Sequence, residues 1–234
     1  MLVSIVIGAL NEEKYIGHAL KTAKKQETRH KIELIVGDGF SEDLTVKIAE
    51  KYADRIVTEV NRSAAWERQA GVRVAKGEVV AITDADADIP KDWVEKIASE
   101  FGKDKSLVGI YGPVYFSDAG SFQKTLSKIA MAVFLRATAF LGLHNPIGSN
   151  IAFRRSALTK VKGFDTSLVT CEDLDLVKRI SKEGRVKFCP HIYVNVSARR
   201  VKKWGYMKFT LFHVLNALNF HLFKKASRKY EPVR

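Results

Sequence analysis

The sequence is poor in cysteine. Cys171 and Cys189 are its only two among 234 residues, and no C-x-x-C spacing occurs. That excludes a disulfide framework and a cysteine-based zinc site, and it makes a reducing compartment the default expectation. Glycine-rich phosphate signatures are missing too. Neither G-x-G-x-x-G nor a P-loop pattern follows any apolar run, which argues against a dinucleotide oxidoreductase and a P-loop phosphotransferase. No stretch reaches the roughly 18–20 apolar residues of a membrane span. The nearest, "FTLFHVLNALNFHLF" (209–223), is broken by His213, Asn216, Asn219 and His221. The opening "MLVSIVIGALNEE" lacks a basic start and a small-residue cleavage site, so it reads as a first strand and not a signal peptide. There is no internal repeat and no low-complexity segment.

Acidic residues are in the minority. Asp and Glu number 26 against 39 Lys and Arg, a net charge of +13. Such an excess suggests an anionic partner: nucleic acid, anionic lipid or a phosphorylated substrate. Much of it lies at the C-terminus. From Arg199 onward the basic residues are Arg199, Arg200, Lys202, Lys203, Lys208, Lys224, Lys225, Arg228, Lys229 and Arg234, and the only acid is Glu231. With 46% hydrophobic and 28% charged residues the chain is globular, and its length suits one α/β domain with a sizeable core or two small ones.

The first half alternates apolar runs with helical spacing. Strands are predicted at 2–7, 32–38, 55–60 and 78–83. Helices are predicted at 11–26, with Asn11 as N-cap, at 43–53, and at 63–77 ending in glycine. Repeated strand–helix units predict a doubly wound, mostly parallel sheet. In such sheets ligands bind beyond the carboxyl ends of the strands, where Asp38 and Asp84 fall. The second half is less regular: a strand at 108–116 with a Gly-Pro irregularity, a long apolar helix at 121–143, a turn and strand at 144–155 and a helix at 171–184. The 209–223 stretch, flanked by basic clusters, reads either as an interfacial membrane helix or as a helix packed on the domain.

Two constellations carry chemistry. "TDADAD" (83–88) sets Asp84, Asp86 and Asp88 on alternate positions, so an extended backbone would point all three the same way. Hard cations such as Mg²⁺ and Mn²⁺ prefer such oxygen ligands, often with substrate phosphates completing the shell. The competing reading is an Asp-rich turn before the next helix. The second constellation is Glu172-Asp173. Read by itself, Thr170-x-x-Asp173 is a capping-box pattern in which Asp173 only holds a helix start.

Four segments occur in a fixed order over roughly residues 3–184: "VSIVIGALNEEKYI", "ELIVGDGFSEDLT", "ERQAGVRVAKGEVVAITDADADIP" and "GSNIAFRRSALTKVKGFDTSLVTCEDLDLVKRISKEG". The set resembles a family 2 glycosyltransferase of the GT-A fold. That resemblance implies inverting transfer of a sugar from a nucleotide diphosphate sugar (a UDP- or GDP-sugar) to a hydroxyl on a glycan or lipid-linked acceptor, with Mn²⁺ or Mg²⁺ as cofactor. Asn11 and Glu12 match the family's "P-x-Y-N-E", with Gly8, Ala9 and Leu10 where a proline and an aromatic are usual. The resemblance makes Ala9, Asn11, Glu12, Asp38, Arg68 and Asp84 nucleotide-sugar contacts. It makes Asp86 the principal metal ligand, Asp84 and Asp88 further ones, and Asp173 the general base with Glu172 beside it. Arg199, Arg200 and Trp204 become diphosphate or acceptor contacts. The implied layout is one catalytic domain over 1–204, with donor binding over about 1–115 and acceptor binding over about 116–204. A basic, amphipathic helix and tail over 205–234 would meet a membrane surface. A cytoplasmic enzyme, peripheral on the membrane, with no nucleic-acid partner is the corresponding expectation. Two rivals remain. A nucleotidyltransferase usually opens with a Gly-rich basic loop, which "GALNEE" is not. A basic nucleic-acid or lipid-binding module explains the charge but not the aspartates.

Overall fold

Val3, Ile5 and Ile7 are fully buried in one core, and Val6 between them is fully buried in another. The alternation of the first strand thus feeds two opposite cores, as the doubly wound reading requires. The computed structural model describes residues 1–118, 121–228 and 230. Lys229, Glu231 and Arg234 of the basic tail lie outside them.

The first half contains β1 (Leu2–Ala9), α1 (Ile16–Lys24), β2 (Lys31–Asp38), α2 (Thr45–Ala49), β3 (Arg55–Thr58), α3 (Ala64–Val74) and β4 (Val79–Asp84). Next come β5 (Ala87–Asp88), α4 (Trp93–Lys103), β6 (Leu107–Tyr111), β7 (Val114–Phe116) and α5 (Ser121–Phe140). The chain continues through β8 (Ile151–Arg154), α6 (Arg155–Lys160), α7 (Glu172–Ile180), β9 (Arg185–Phe188), β10 (Val194–Val196), α8 (Arg199–Trp204) and α9 (Tyr206–Phe223).

The large sheet has seven strands in the order β3-β2-β1-β4-β8-β6-β9. Only β8 runs against the rest, pairing antiparallel with both β4 and β6. This is the α/β, mostly parallel sheet that the sequence predicts. Helices α1 and α4 pack on one face through Ile16, Leu20, Trp93, Ile97 and Phe101. Helices α6 and α7 cover the other through Leu158, Leu176, Val177 and Ile180. A three-stranded sheet, β5-β10-β7, stands beside it.

Three local expectations change. Asn11 is not the cap of α1. It takes a left-handed φ of 53°, its Oδ1 accepts the Glu42 N–H at 2.8 Å, and the helix starts only at Ile16. Helix α3 stops at Val74 before reaching Gly77, whose N–H donates to Ser4 Oγ at 2.8 Å at the entry to β4. The 108–116 run is two strands in different sheets, because Gly112-Pro113 breaks it. A side chain at residue 112 would lie 1.7 Å from the Ile192 carbonyl oxygen.

Candidate active site

Parallel register sets the floor of the site. β1 pairs Ala9 with Asp38 of β2 and Gly8 with Asp84 of β4, so both aspartates end their strands at the same edge. Asp38 is buried and turns back on its own loop. It accepts from the Ser41 hydroxyl at 2.5 Å and the Ser41 N–H at 3.1 Å, and Ser41 Oγ in turn accepts the Asn11 N–H at 2.9 Å. Ala9 is buried, and its carbonyl accepts from Gly39 at 2.8 Å. Ala9, Asn11 and Asp38 therefore fix the shape of the paired loops after β1 and β2.

Helix α3 lies close over the sheet because residue 37 has no side chain. A Cβ there would fall 1.9 Å from the Glu67 carbonyl oxygen. That approach brings Arg68 to the strand ends. Its Nη2 donates to Asp84 Oδ1 at 2.7 Å and its Nη1 to Glu172 Oε1 at 2.5 Å, so one buried guanidinium ties the end of β4 to the start of α7. Room for it comes from Gly148, where a Cβ would stand 2.4 Å from Arg68 Nη1. The Ser149 hydroxyl donates to the other Asp84 oxygen. Burial pushes the Asp84 carboxyl up, but Arg68 and Ser149 together hold it below the usual carboxylate range. The same ion pairs keep Arg68 protonated.

The residues of α7 sit differently. Cys171, just before the helix, has a left-handed φ of 61° and is buried, with the Asn216 amide 3.1 Å from its sulfur. Such a backbone costs energy in a non-glycine residue and persists only where its surroundings over-determine it. It turns Glu172 inward onto Arg68 and leaves Asp173 partly exposed in the first turn. Asp173 Oδ2 accepts the Gly148 N–H and Oδ1 the Leu174 N–H, both at 2.8 Å. Burial raises the pKa of both carboxyls, and for Glu172 the neighbouring Asp173 charge adds to the rise. The capping-box alternative fails. The Thr170 hydroxyl donates to the Ser227 carbonyl at 2.8 Å and accepts from Asn216 at 3.0 Å, and no side chain caps α7.

Asp86 lies in the turn between β4 and β5. Burial, and then the Asp84 charge beside it, push its carboxyl up to about 7. Its nearest cation is Arg199, with Nε 3.3 Å from Oδ2. Arg199 also donates from both terminal nitrogens to Glu12, at 2.7 and 2.6 Å, and its guanidinium lies 4.6 Å from the centre of the Tyr15 ring. The turn at 85–86 breaks the alternation that would have aligned all three aspartates. Asp88 points elsewhere, 3.1 Å from His18 of α1. Among the described residues no three His, Cys, Asp or Glu side chains gather to hold a metal. Asp84 and Asp86 remain as a close carboxylate pair. An ion that keeps phosphate and water ligands fits two such oxygen donors.

Arg200 and Trp204 face the C-terminal segment. Arg200 Nη1 donates to the Tyr230 hydroxyl at 2.6 Å and lies 4.2 Å from that ring's centre. Trp204 packs edge-on against Phe212 and Tyr230, and its indole N–H has no partner among the described residues. Sequence reasoning assigned no role to Gly148, Ser149, Tyr15 or Tyr230. The "GSN" before β8 was a signal for the first two. Nothing local marks Tyr15 or Tyr230.

The sequence pattern described as Glycosyl transferase family 2 matches residues 4–162. The chain belongs to this family. Family 2 membership rests on the segment from β1 through α6, because the match ends before Glu172 and Asp173. Among relatives, an Escherichia coli chondroitin synthase is 26% identical over 241 residues, covering 99% of this chain and 34% of its own length. Among solved structures, a mannosyltransferase from Pyrobaculum calidifontis in complex with GDP-Man and Mn²⁺ superposes with a TM-score of 0.76 at 23% identity, covering 96% of this chain and 65% of that one. Staphylococcus aureus TarS in complex with UDP-GlcNAc gives 0.65 at 20% identity, covering 84% and 58%. These likenesses show the fold. The family 2 chain spans 36% and 34% of the lengths of the first two relatives it matches.

Proposed function

We propose that this chain transfers a sugar from a nucleotide diphosphate sugar to an acceptor hydroxyl, with inversion and divalent-metal assistance. One observation carries the reading. Arg68 joins Asp84, at the donor end of the parallel sheet, to Glu172, which adjoins the partly exposed Asp173. A donor-side carboxylate and an acceptor-side base thus stand on one frame. A nucleotidyltransferase or a lipid-binding module gives no reason for that frame.

Asp84 and Asp86 would hold the cation, with Mn²⁺ and Mg²⁺ fitting the oxygen donors. When bound, it would neutralise charge on the departing diphosphate. Asp173, held by the Gly148 and Leu174 N–H groups, accepts the proton of the acceptor hydroxyl as that oxygen bonds to the anomeric carbon. The bond to the diphosphate breaks on the opposite face, which inverts the centre, and the nucleoside diphosphate leaves with the electron pair. Arg68 acts as a positioning residue, since both its terminal nitrogens are committed to carboxylates. Arg199, already poised between Glu12 and Asp86, exchanges a carboxylate for the incoming diphosphate. Asp88, paired with His18, stays outside this set.

A thermal-shift screen of UDP-, GDP- and dTDP-sugars, with and without Mn²⁺, tests the reading. One donor class should raise Tm in a Mn²⁺-dependent way. If no donor stabilises the protein under either condition, the proposal fails.

A further inference from the structure

Helix α9 is apolar on both sides. Its inner side packs inward: Phe209 meets Phe116, Asn216 bonds to Thr170 and Cys171, and Phe220 is buried with Cys171 and Leu174. Its outer side leaves Met207, Leu211, Leu215, Leu218 and Leu222 exposed, Met207 at 84% and Leu222 at 70%. These positions repeat at helical spacing along the whole element, so they form one stripe. The basic residues stand at the helix ends and not along one side. Lys208 lies in the first turn, Lys224 and Lys225 follow the last, and all three are exposed. The sequence-predicted division into a polar and an apolar side is therefore absent. His221 Nε2 meets Asn145 Oδ1 at 3.1 Å, which ties the last turn to the segment after α5; Phe140 at the end of α5 and Leu141 and Leu143 beyond it are exposed.

We infer that the outer side of α9, with the adjoining end of α5, docks on an anionic lipid bilayer surface. Exposed apolar stripes of this extent mark an interaction site. Charge selects the occupant. From residue 184 to residue 230 the chain has no Asp or Glu, so a second copy would set lysine against lysine around the stripe. Anionic headgroups complement that rim while the leucines enter the acyl boundary. A nucleic acid would leave the leucine stripe uncovered. No described helix is long and apolar enough to cross a membrane, so the contact lies in the interface plane. One consequence rests on the transferase reading. Asn216 ties α9 directly to the residues before Glu172 and Asp173, so docking brings the acceptor side of the site close to the bilayer and favours a lipid-linked acceptor.

The test is co-sedimentation of the full chain with phosphatidylcholine vesicles, with and without phosphatidylglycerol, at low and high salt. The wild type should sediment with the anionic vesicles, less so at high salt. Leu211→Glu combined with Leu218→Glu should abolish binding, with Tm and donor-induced stabilisation retained as proof of folding. Lys224→Gln combined with Lys225→Gln should weaken binding by about fivefold per charge. Absence of binding, equal binding to neutral vesicles, or leucine variants that bind like the wild type would each overturn the inference. So would a wild-type dimer that the leucine variant dissolves with no vesicle binding. Failure of the transferase reading would show in the donor screen, which vesicle binding does not touch.

Discussion

Arg199 and Glu12 form a two-pronged ion pair across 187 residues of chain, with N···O distances of 2.7 and 2.6 Å. The pair joins the C-terminal α8 to the loop after β1 and holds a fixed cation beside Asp86. Planar, parallel donation of this kind is a property of arginine that lysine cannot reproduce. Arg199→Ala should raise the donor KM by about tenfold, the loss of one good charge-assisted contact. Arg199→Lys should restore little of it. Steady-state kinetics over donor concentration measures both.

Asp173→Asn keeps the shape and an acceptor oxygen but removes the basic group. The kcat should fall by roughly 10²- to 10⁴-fold, the usual contribution of a positioned base. Donor affinity, read by thermal shift, should stay near wild type. A variant with unchanged kcat removes Asp173 from the mechanism.

The buried carboxyl of Asp86 prefers its neutral form up to about pH 7. Asp86→Asn mimics that form. Without metal at alkaline pH the variant should be more stable than wild type, whose ionised Asp86 faces Asp84. In the presence of Mn²⁺ it should lose the metal-dependent rise in Tm, and transfer should drop by about 10²-fold or more. Differential scanning fluorimetry and a Mn²⁺ titration of activity separate the two effects.

Gly148 is the space in which Arg68 sits, and its N–H holds Asp173. Gly148→Ala places a methyl 2.4 Å from the guanidinium nitrogen, so Arg68 must shift and the Asp84–Glu172 tie loosens. The expected result is a kcat loss far larger than the stability loss, about 1–3 kcal/mol for an overpacked site. Unchanged kcat would show that the Arg68 frame tolerates displacement.

His213, half-buried beside Tyr230 and Arg200, has its pKa lowered to about 4, chiefly by burial. At this side chain the unfolded chain therefore binds more protons between about pH 6.5 and 4, so the His213 contribution to stability falls as pH drops through that window, opposite in sign to the contribution of Asp86. The loss is at most roughly 3 kcal/mol. His213→Gln should raise Tm relative to wild type increasingly as pH falls from about 6.5 to 4, and wild-type α9 should be the first element to lose amide protection on acidification. A variant whose Tm–pH curve runs parallel to that of the wild type would place His213 in a more solvated site.

Much of the frame was legible in the chain. The apolar runs at 2–7, 32–38 and 78–83 mark β1, β2 and β4 because strands buried on both faces need unbroken apolar sequence. The strand-end placement of Asp38 and Asp84 follows from the same runs. Where two local codes competed, sequence alone left the outcome open. Thr170-x-x-Asp173 satisfies a capping box on paper, but the Thr170 hydroxyl is taken by Ser227 and Asn216, which lie 57 and 46 residues away.

The sequence by itself determined the family, the order of strands and helices through β4, and which carboxylates end at the edge of the parallel sheet, because burial patterning and short motifs are local. Tertiary structure decided which partner each carboxylate has. A two-residue turn sent Asp88 to His18, and the missing side chain of Gly148 let Arg68 reach both Asp84 and Glu172. The left-handed Cys171 turned Glu172 inward while Asp173 stayed accessible. Those pairings depend on contacts between residues far apart in the chain, and no local spacing encodes them.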